Sequence, residues 1–307
     1  MFTPLPSHRT GLSSTQIATL LTFRAALPPL ISIAHLRALA PSPTSLDREL
    51  SCLLHSGTLR KIEIPGRGAG ARSVGHGVVL EARWVDVVRE YPGLEDELKE
   101  KYIALMQAHP GEVRVDVRRA GLGREEVGRL VEAGFLTRVN SAGPSRAGSF
   151  LRLGLPAGRG GKAPIASGGP VGAGEGYSPA GSSGAGGREA AAEVYAFSLP
   201  NTGAYLKFVQ GAREALVGLL GKGGAQVREA PMELLRERWD GGVAKEGDGP
   251  AERRRERGED MGPMVGRTRK WRVWYGLEFE WVLGEVFGAG LVECFETGSV
   301  GVGVRVR

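Results

Sequence analysis

The stretch VEAGFLTRV, residues 131–139, contains the pattern that decides the fold class: an amphipathic helix ends at Gly134 and a strand follows at once. The same order of features occurs in CLLHSGTLRKIEI, which begins at Cys52, and in VFGAGLVECFETG, which begins at Val286. Glycine supplies the left-handed backbone that ends a helix. The sequence therefore predicts three copies of one helix, glycine and strand unit.

Apolar residues recur at fixed positions around the glycine of each copy. They stand seven, four and three residues before it and two residues after it, and the first three of these positions share one helical face. An apolar face of this kind needs other helices to cover it. The aligned residues are Leu50, Leu53, Leu54 and Leu59 around Gly57, then Val127, Leu130, Val131 and Leu136 around Gly134, then Leu283, Val286, Phe287 and Val292 around Gly290.

Helical segments precede each copy and a strand hairpin follows it. The first copy has SSTQIATLLTFRAAL with a serine cap, ISIAHLRALA and TSLDRELSCLLHSG; the second has LEDELKEKYIALM and VDVRRAGLGREEVGRLVEAG; the third has LPNTGAYLKFVQGAREALVGLLGK and APMELLRERWDG. The hairpins are LRKIEI with VVLEARWV, then LTRVNSAGPSRAGSFLRLGL, then ECFETGSVGVGVRVR. Three helices closed by a hairpin are typical of the winged-helix form of the helix-turn-helix.

The predicted fold is thus α+β, mainly α, with three tandem winged-helix domains. Their predicted bounds are residues 10–92, 93–156 and 191–307. Residues 157–190 are rich in Gly, Pro and Ser and too poor in apolar side chains to offset the entropy of ordering, so we expect a flexible linker there. Residues 240–266, which include AERRRERGEDMG, are expected to be a disordered insertion in the third domain.

The composition points to a polyanionic partner and away from metal or membrane binding. The formal net charge is +6 and the pI is about 9.5. Two cysteines and five histidines give no zinc-ligand spacing, and we expect Cys52 and Cys294 to be buried in a reducing compartment. No apolar run approaches the roughly 20 residues that cross a bilayer. We expect neither a membrane nor a bound metal.

Two clusters of basic residues are candidate DNA-binding surfaces. The stronger, in GRTRKWRVWYG, contains Arg267, Arg269, Lys270 and Arg272 with no acid among them. We interpret the neighbouring Trp271, Trp274 and Tyr275 as core residues. The second surface is the first hairpin, with Arg60, Lys61, Arg67 and Arg72, for which a solvated loop is an equal alternative.

The predicted third helix of the last domain, LEFEWVLGEVF, indicates what kind of DNA contact to expect. It carries three glutamates and no Arg, Asn or Gln that could read a base edge. We therefore expect contact with phosphates, largely independent of base sequence.

Several strings closely resemble fungal members of the serine-threonine protein kinase 19 family. They are SLPNTGAYLKFVQGAREALVGLL, REAPMELLRERWDGG, GRTRKW and YGLEFEWVLGEVFGAGLVECFETGSVGVGVR, and the similarity is weaker in AGLGREEVGRLVEAGFLTR and thin in the first 90 residues. The resemblance implies a nuclear protein of three winged helices. It also implies binding to double-stranded DNA and a role in transcription-coupled nucleotide excision repair, with transcription and repair proteins as partners.

The name of that family implies phosphoryl transfer, which the sequence does not support. A protein kinase needs a lysine on the nucleotide phosphates, a catalytic-loop Asp and a metal-binding Asp. The sequence has no VAIK-like, HRD or DFG motif, and the glycine-rich residues 66–71 lack the lysine of a phosphate-binding loop. We expect no catalytic residue, no cofactor and no small-molecule substrate. The alternatives are a serine/threonine kinase, as the family name says, and a protein-interaction scaffold built on winged helices.

Overall fold

The computed structural model describes residues 1–5, 11–63, 76–118, 120–139, 193–221, 228–242, 264–299 and 301–307. All of them belong to one compact unit, formed by Met1–Ser145 and Glu193–Arg307. The predicted linker at 157–190, most of the predicted insertion at 240–266, and both Arg67 and Arg72 lie outside the described residues.

The first module contains the helices and the hairpin that the sequence predicts, but the second strand ends at Leu80, and the rest of the predicted strand VVLEARWV forms a helix instead. Its elements are α1 (Ser14–Ala25), β1 (Ile31–Ser32), α2 (Ile33–Leu39), α3 (Pro43–His55), β2 (Leu59–Glu63), β3 (His76–Leu80) and α4 (Glu81–Glu90). The serine cap is confirmed, because Ser13 and Gln16 form a capping box at the start of α1. The strands form an antiparallel sheet in the order β1-β3-β2.

The second module differs from the prediction in its middle segment. Its elements are α5 (Asp96–Ala108), β4 (Arg114–Asp116), α6 (Arg124–Ala133), β5 (Leu136–Arg138) and β6 (Val194–Phe197). The prediction of helix from Val115 was wrong, because Val115 and Val117 are buried and β4 pairs with β6. Valines at every second position favour a strand, because alternate side chains of an extended chain point to the same face.

The second hairpin also has a different partner strand from the predicted one. Strand β5 pairs antiparallel with β6, with Leu136 opposite Phe197. The predicted partner, residues 149–155, lies outside the described ranges. The sheet order is β4-β6-β5. Residues 157–190 therefore fall, in sequence, between two strands of one sheet.

The third module follows the same plan as the first. Its elements are α7 (Thr202–Leu220), β7 (Glu229–Pro231), α8 (Met232–Asp240), a 3-10 turn (Val265–Arg267), α9 (Arg269–Arg272), α10 (Phe279–Gly288), β8 (Val292–Glu296) and β9 (Val302–Val306). The sheet order is β7-β9-β8, the same first-third-second order as in the other two sheets. The fold is thus a mixture of helices and small antiparallel sheets.

The three glycines that align the copies behave as predicted. Gly57, Gly134 and Gly290 all have left-handed backbone, with φ of 76°, 85° and 66°. Most of the aligned apolar side chains are buried or half-buried around them. Leu53 and Phe287 are exceptions, 39% and 44% exposed.

The expectation that both cysteines are buried was wrong. Cys52 on α3 and Cys294 on β8 are exposed free thiols. Helix α3 covers little of the core, because Leu50 is its one buried residue.

The first and third modules share a buried polar network where α2 packs against α10. The guanidinium of Arg213, on α7, donates to the carboxylate of Glu285 on α10, with Nε 3.1 Å from Oε2. Ser32 Oγ donates to the other carboxylate oxygen at 2.7 Å. Glu285 is fully buried and Arg213 is 2% exposed. The charge pair joins α7 to α10, and Ser32 joins the start of α2 to them. Neither charge of a buried pair tolerates loss of the other.

The imidazole of His35 lies beside this network and makes stability depend on pH. Burial lowers its pKa, although Glu285, 3.6 Å away, acts in the opposite direction and Arg213 in the same one. The unfolded chain therefore takes up the proton first, near pH 6.5, and the folded state loses stability as pH falls below that value. We expect the His35→Gln variant to lose less stability than the wild type between neutral and mildly acidic pH. Urea unfolding of both proteins across that range measures the difference, and parallel curves would contradict the assignment.

Candidate nucleic-acid interface

The basic turn, residues 267–272, is anchored to the core by aromatic side chains. Trp271, Trp274 and Tyr275 are 6%, 9% and 6% exposed, so their prediction as core residues is confirmed. Trp274 stacks on Trp239 of α8, with ring centroids 5.9 Å apart. Tyr275 stacks on Phe23 of α1 at 4.0 Å. These contacts fix the backbone of a segment that is itself only one helical turn long.

Three arginines of the basic turn point away from the protein. Arg267, Arg269 and Arg272 are exposed, whereas Thr268 between the first two is buried. None of the three guanidinium groups forms a hydrogen bond or an ion pair with another described residue, although the backbone groups of all three residues are hydrogen-bonded. Arg269 and Arg272 are three residues apart in α9 and therefore share one helical face. Their guanidinium groups are available to an external anion.

Lys270 does not belong to this surface, which corrects the prediction from sequence. The side chain turns inward and is 9% exposed. Its ammonium lies 2.8 Å from Asp240 Oδ1, at the end of α8. A buried lysine with a carboxylate partner holds α8 and α9 together and offers no charge to a phosphate.

Arg60 is also removed from the candidate surface, because it is 2% exposed. Its guanidinium donates to the carbonyl oxygens of Met106 at 2.8 Å and His109 at 3.1 Å, and packs near the rings of Trp84 and Phe197. Carbonyls at the C-terminus of a helix attract cations. Arg60 thus caps α5 and joins the first module to the second.

Lys61 remains a candidate of the first-hairpin surface, since Arg60 is buried. It follows Arg60 on β2 and points to the opposite face of the strand, where it is half-buried. Arg67 and Arg72, the other two residues of that predicted surface, lie outside the described residues.

Helix α10, the third helix of the last module, is covered by the first module. A Cβ built on Gly288 would lie 1.8 Å from the carbonyl oxygen of Ala34, and one on Gly284 would lie 3.2 Å from the His35 ring. The two glycines are four residues apart and so lie on one face, against which α2 packs directly. Sequence reasoning missed this contact, although the spacing of the two glycines was a visible signal. Helix α10 cannot enter a DNA groove along this face while α2 covers it.

The described residues contain neither a metal-binding cluster nor a membrane-spanning helix. No three His, Cys, Asp or Glu side chains in the described ranges are grouped so that they could hold a metal ion. Among the same residues, no helix is both long enough and apolar enough to cross a bilayer.

Comparison with known proteins gives the family of the chain. The model of the family described as inactive serine-threonine protein kinase 19 matches residues 1–306. The chain belongs to this family. The resemblance seen in the sequence is thereby confirmed over essentially the whole chain. No curated protein matches the sequence. The word "inactive" in the description of the kinase 19 family agrees with the lack of kinase motifs in the sequence.

Proposed function

We propose that the chain is a non-enzymatic nuclear protein that binds double-stranded DNA through its phosphates. The observation that carries this proposal is the basic turn, where three exposed arginines have no described ion-pair partner on a backbone anchored by buried aromatic rings. The third module as a whole has no excess of positive charge, so this concentration of free guanidinium groups is a local feature. Arginine is well suited to phosphate because its planar fork can donate two hydrogen bonds.

We further propose that each module is a winged helix. Three observations support this assignment: a short first strand, a helix that ends at a left-handed glycine, and a hairpin whose second strand pairs with both others. In the second module, no helix is found among the described residues between β4 and α6. Winged helices serve as DNA-binding modules, and their hairpins contact the DNA backbone.

Binding is proposed to be independent of base sequence. The α10 helix is covered by α2, its Glu285 is buried, and its Glu280 is paired with Arg236 at 2.8 Å. No side chain suited to a base edge is therefore offered to the major groove by this helix. Contact through arginines alone should be strongly dependent on salt, because each neutralised phosphate releases condensed counterions.

The biological role that we propose follows from the family and not from the geometry. The sequence resemblance implies transcription-coupled nucleotide excision repair, in the nucleus, with transcription and repair proteins as partners. A duplex-binding protein without sequence preference suits that role, since a stalled polymerase can stand at any sequence.

The triple variant Arg267→Glu, Arg269→Glu, Arg272→Glu tests the proposed surface. We expect its affinity for a random-sequence duplex to fall by more than about 100-fold, because three attractive contacts become repulsive. The slope of log affinity against log salt should fall by about 2.7, which is about 0.9 for each lost phosphate contact. Fluorescence anisotropy titrations at several salt concentrations measure both quantities.

The matched control reverses the charge of three exposed residues outside the basic turn. Its substitutions are Arg48→Glu on α3, Arg83→Glu on α4 and Lys207→Glu on α7. It changes the net charge by the same amount and should bind almost as the wild type does. Equal losses in both triple variants would mean that bulk charge alone is responsible. If the basic-turn variant kept full affinity, the surface would be rejected and an interaction scaffold would be favoured instead.

A further inference from the structure

The backbone that connects the basic turn to α10 adopts an unusual conformation. Tyr275 has φ of 50° and Gly276 has φ of 76°, so two consecutive residues are left-handed. For a residue with a Cβ this conformation is unfavourable and persists only where surrounding contacts impose it. The one-turn helix α9 is too short to be stable by itself. Contacts with neighbouring elements therefore have to hold this segment, and some of them come from the first module.

Arg24, on the last turn of α1, supplies the most direct of these contacts. Its Nε and Nη2 both donate to the carbonyl oxygen of Tyr275, at 3.0 and 2.6 Å. The guanidinium lies over the rings of Phe2 and Trp271, 4.7 and 5.7 Å from their centroids. A Cβ on Gly276 would lie 2.4 Å from Nη2. The left-handed turn and the arginine are thus closely packed against each other.

The first residues of the chain hold the same turn from its other side. The Thr3 amide donates to the Gly276 carbonyl at 2.8 Å, and the Glu278 amide donates to the Met1 carbonyl at 3.0 Å. Phe2 forms an isolated β-bridge with Leu277. The connection between α9 and α10 therefore lies between Met1–Thr3 and Arg24, both far from it in sequence.

We infer that Arg24 and residues Met1–Thr3 form a clamp that positions the arginines of the basic turn for phosphate contact. The clamp fixes the carbonyl of Tyr275 and the turn that follows, and through them it fixes the direction of α9. In this inference Arg24 is a positioning residue, because its Nε and Nη2 donate to the carbonyl oxygen of Tyr275. The inference rests on the proposed function for its effect on DNA binding, whereas its effect on the order of the turn can be measured without DNA.

The test compares Arg24→Gln with Arg37→Gln, which removes a half-buried cation from α2 of the same module. We expect amide hydrogen exchange in a peptide covering residues 269–278 to become at least about tenfold faster in Arg24→Gln, with α7 peptides unchanged. Duplex affinity should fall by about tenfold, the factor that corresponds to one lost charged hydrogen bond. Arg37→Gln should change neither quantity.

Two further variants separate positioning from direct contact. Arg24→Lys keeps the charge but cannot give two donors in one plane, so a positioning role predicts that it behaves like Arg24→Gln. Full affinity in Arg24→Lys would show that Arg24 meets phosphate itself and would overturn the inference. When Arg24→Gln is added to the triple variant of the basic turn, we expect no further loss of affinity, because the arginines that Arg24 positions are already absent.

The failure of the clamp and the failure of the proposed function give different results. Unchanged exchange at residues 269–278 in Arg24→Gln refutes the clamp, whatever happens with DNA. Suppose that the wild type depends on the basic turn for DNA binding. If Arg24→Gln then shows faster exchange but unchanged duplex affinity, the clamp has no role in binding. If the wild type binds no duplex, the proposed function fails and the DNA-binding role of the clamp fails with it, while exchange still reports on the order of the turn.

Discussion

Arg213→Met is expected to lower the free energy of unfolding by about 3–5 kcal/mol, the usual effect of breaking a buried ion pair by removing one partner. Methionine replaces most of the volume of arginine but leaves the Glu285 carboxylate buried, with Ser32 as its remaining hydrogen-bond donor. Chemical denaturation followed by circular dichroism measures the change.

The double variant Arg213→Met, Glu285→Leu is the control for this prediction. It removes both charges, so we expect it to be more stable than Arg213→Met alone even though it carries an additional substitution. If Arg213→Met were within about 1 kcal/mol of the wild type, the buried pair would not be an important link between α7 and α10.

Gly288→Ala is the second substitution with a large expected effect. The added methyl group would lie 1.8 Å from the Ala34 carbonyl oxygen, which is backbone and cannot rotate away. Helix α2 must therefore move from α10, and we expect a loss of about 3 kcal/mol or more, at the upper end of the range for overpacked sites. The melting temperature and the free energy of unfolding in urea measure this loss.

Gly218→Ala is the matched control, since it makes the same chemical change in α7 where nothing lies within 4 Å of the new Cβ. It should leave stability unchanged or raise it by up to about 1 kcal/mol, because alanine favours a helix more than glycine does. A similar loss in both variants would argue against a close contact between α2 and α10.

These contacts bear on function because they relate the first module to the basic turn. The packing of α2 against α10, the hydrogen bond from Ser32 to Glu285, and the Arg24 clamp all lie between the first and third modules. The described parts of the three predicted domains therefore form one compact unit and are not independent of one another. A substitution in α1 or α2 can change the geometry of Arg267, Arg269 and Arg272 without contacting them.

Features that depend on a few neighbouring residues were predictable from the sequence. The helix ends at Gly57, Gly134 and Gly290 need only a left-handed residue, and the buried aromatics next to Arg272 need only an apolar pattern. The exposed arginines of the basic turn were found in the same way. Family membership was also visible in short strings of the sequence.

The tertiary structure alone decided which strands pair and which cations are free. Strand β6 pairs with β5 across more than 50 intervening residues, so no local sequence pattern predicts the register of the two strands. Arg60 and Lys270 have the same charge as their exposed neighbours, yet one meets carbonyls of α5 and the other meets Asp240. The sequence gives the charge of a side chain. Its hydrogen-bond or ion-pair partner depends on which distant groups the fold brings within about 3 Å of it. That difference separates the three arginines offered to a phosphate from the two cations that hold the protein together.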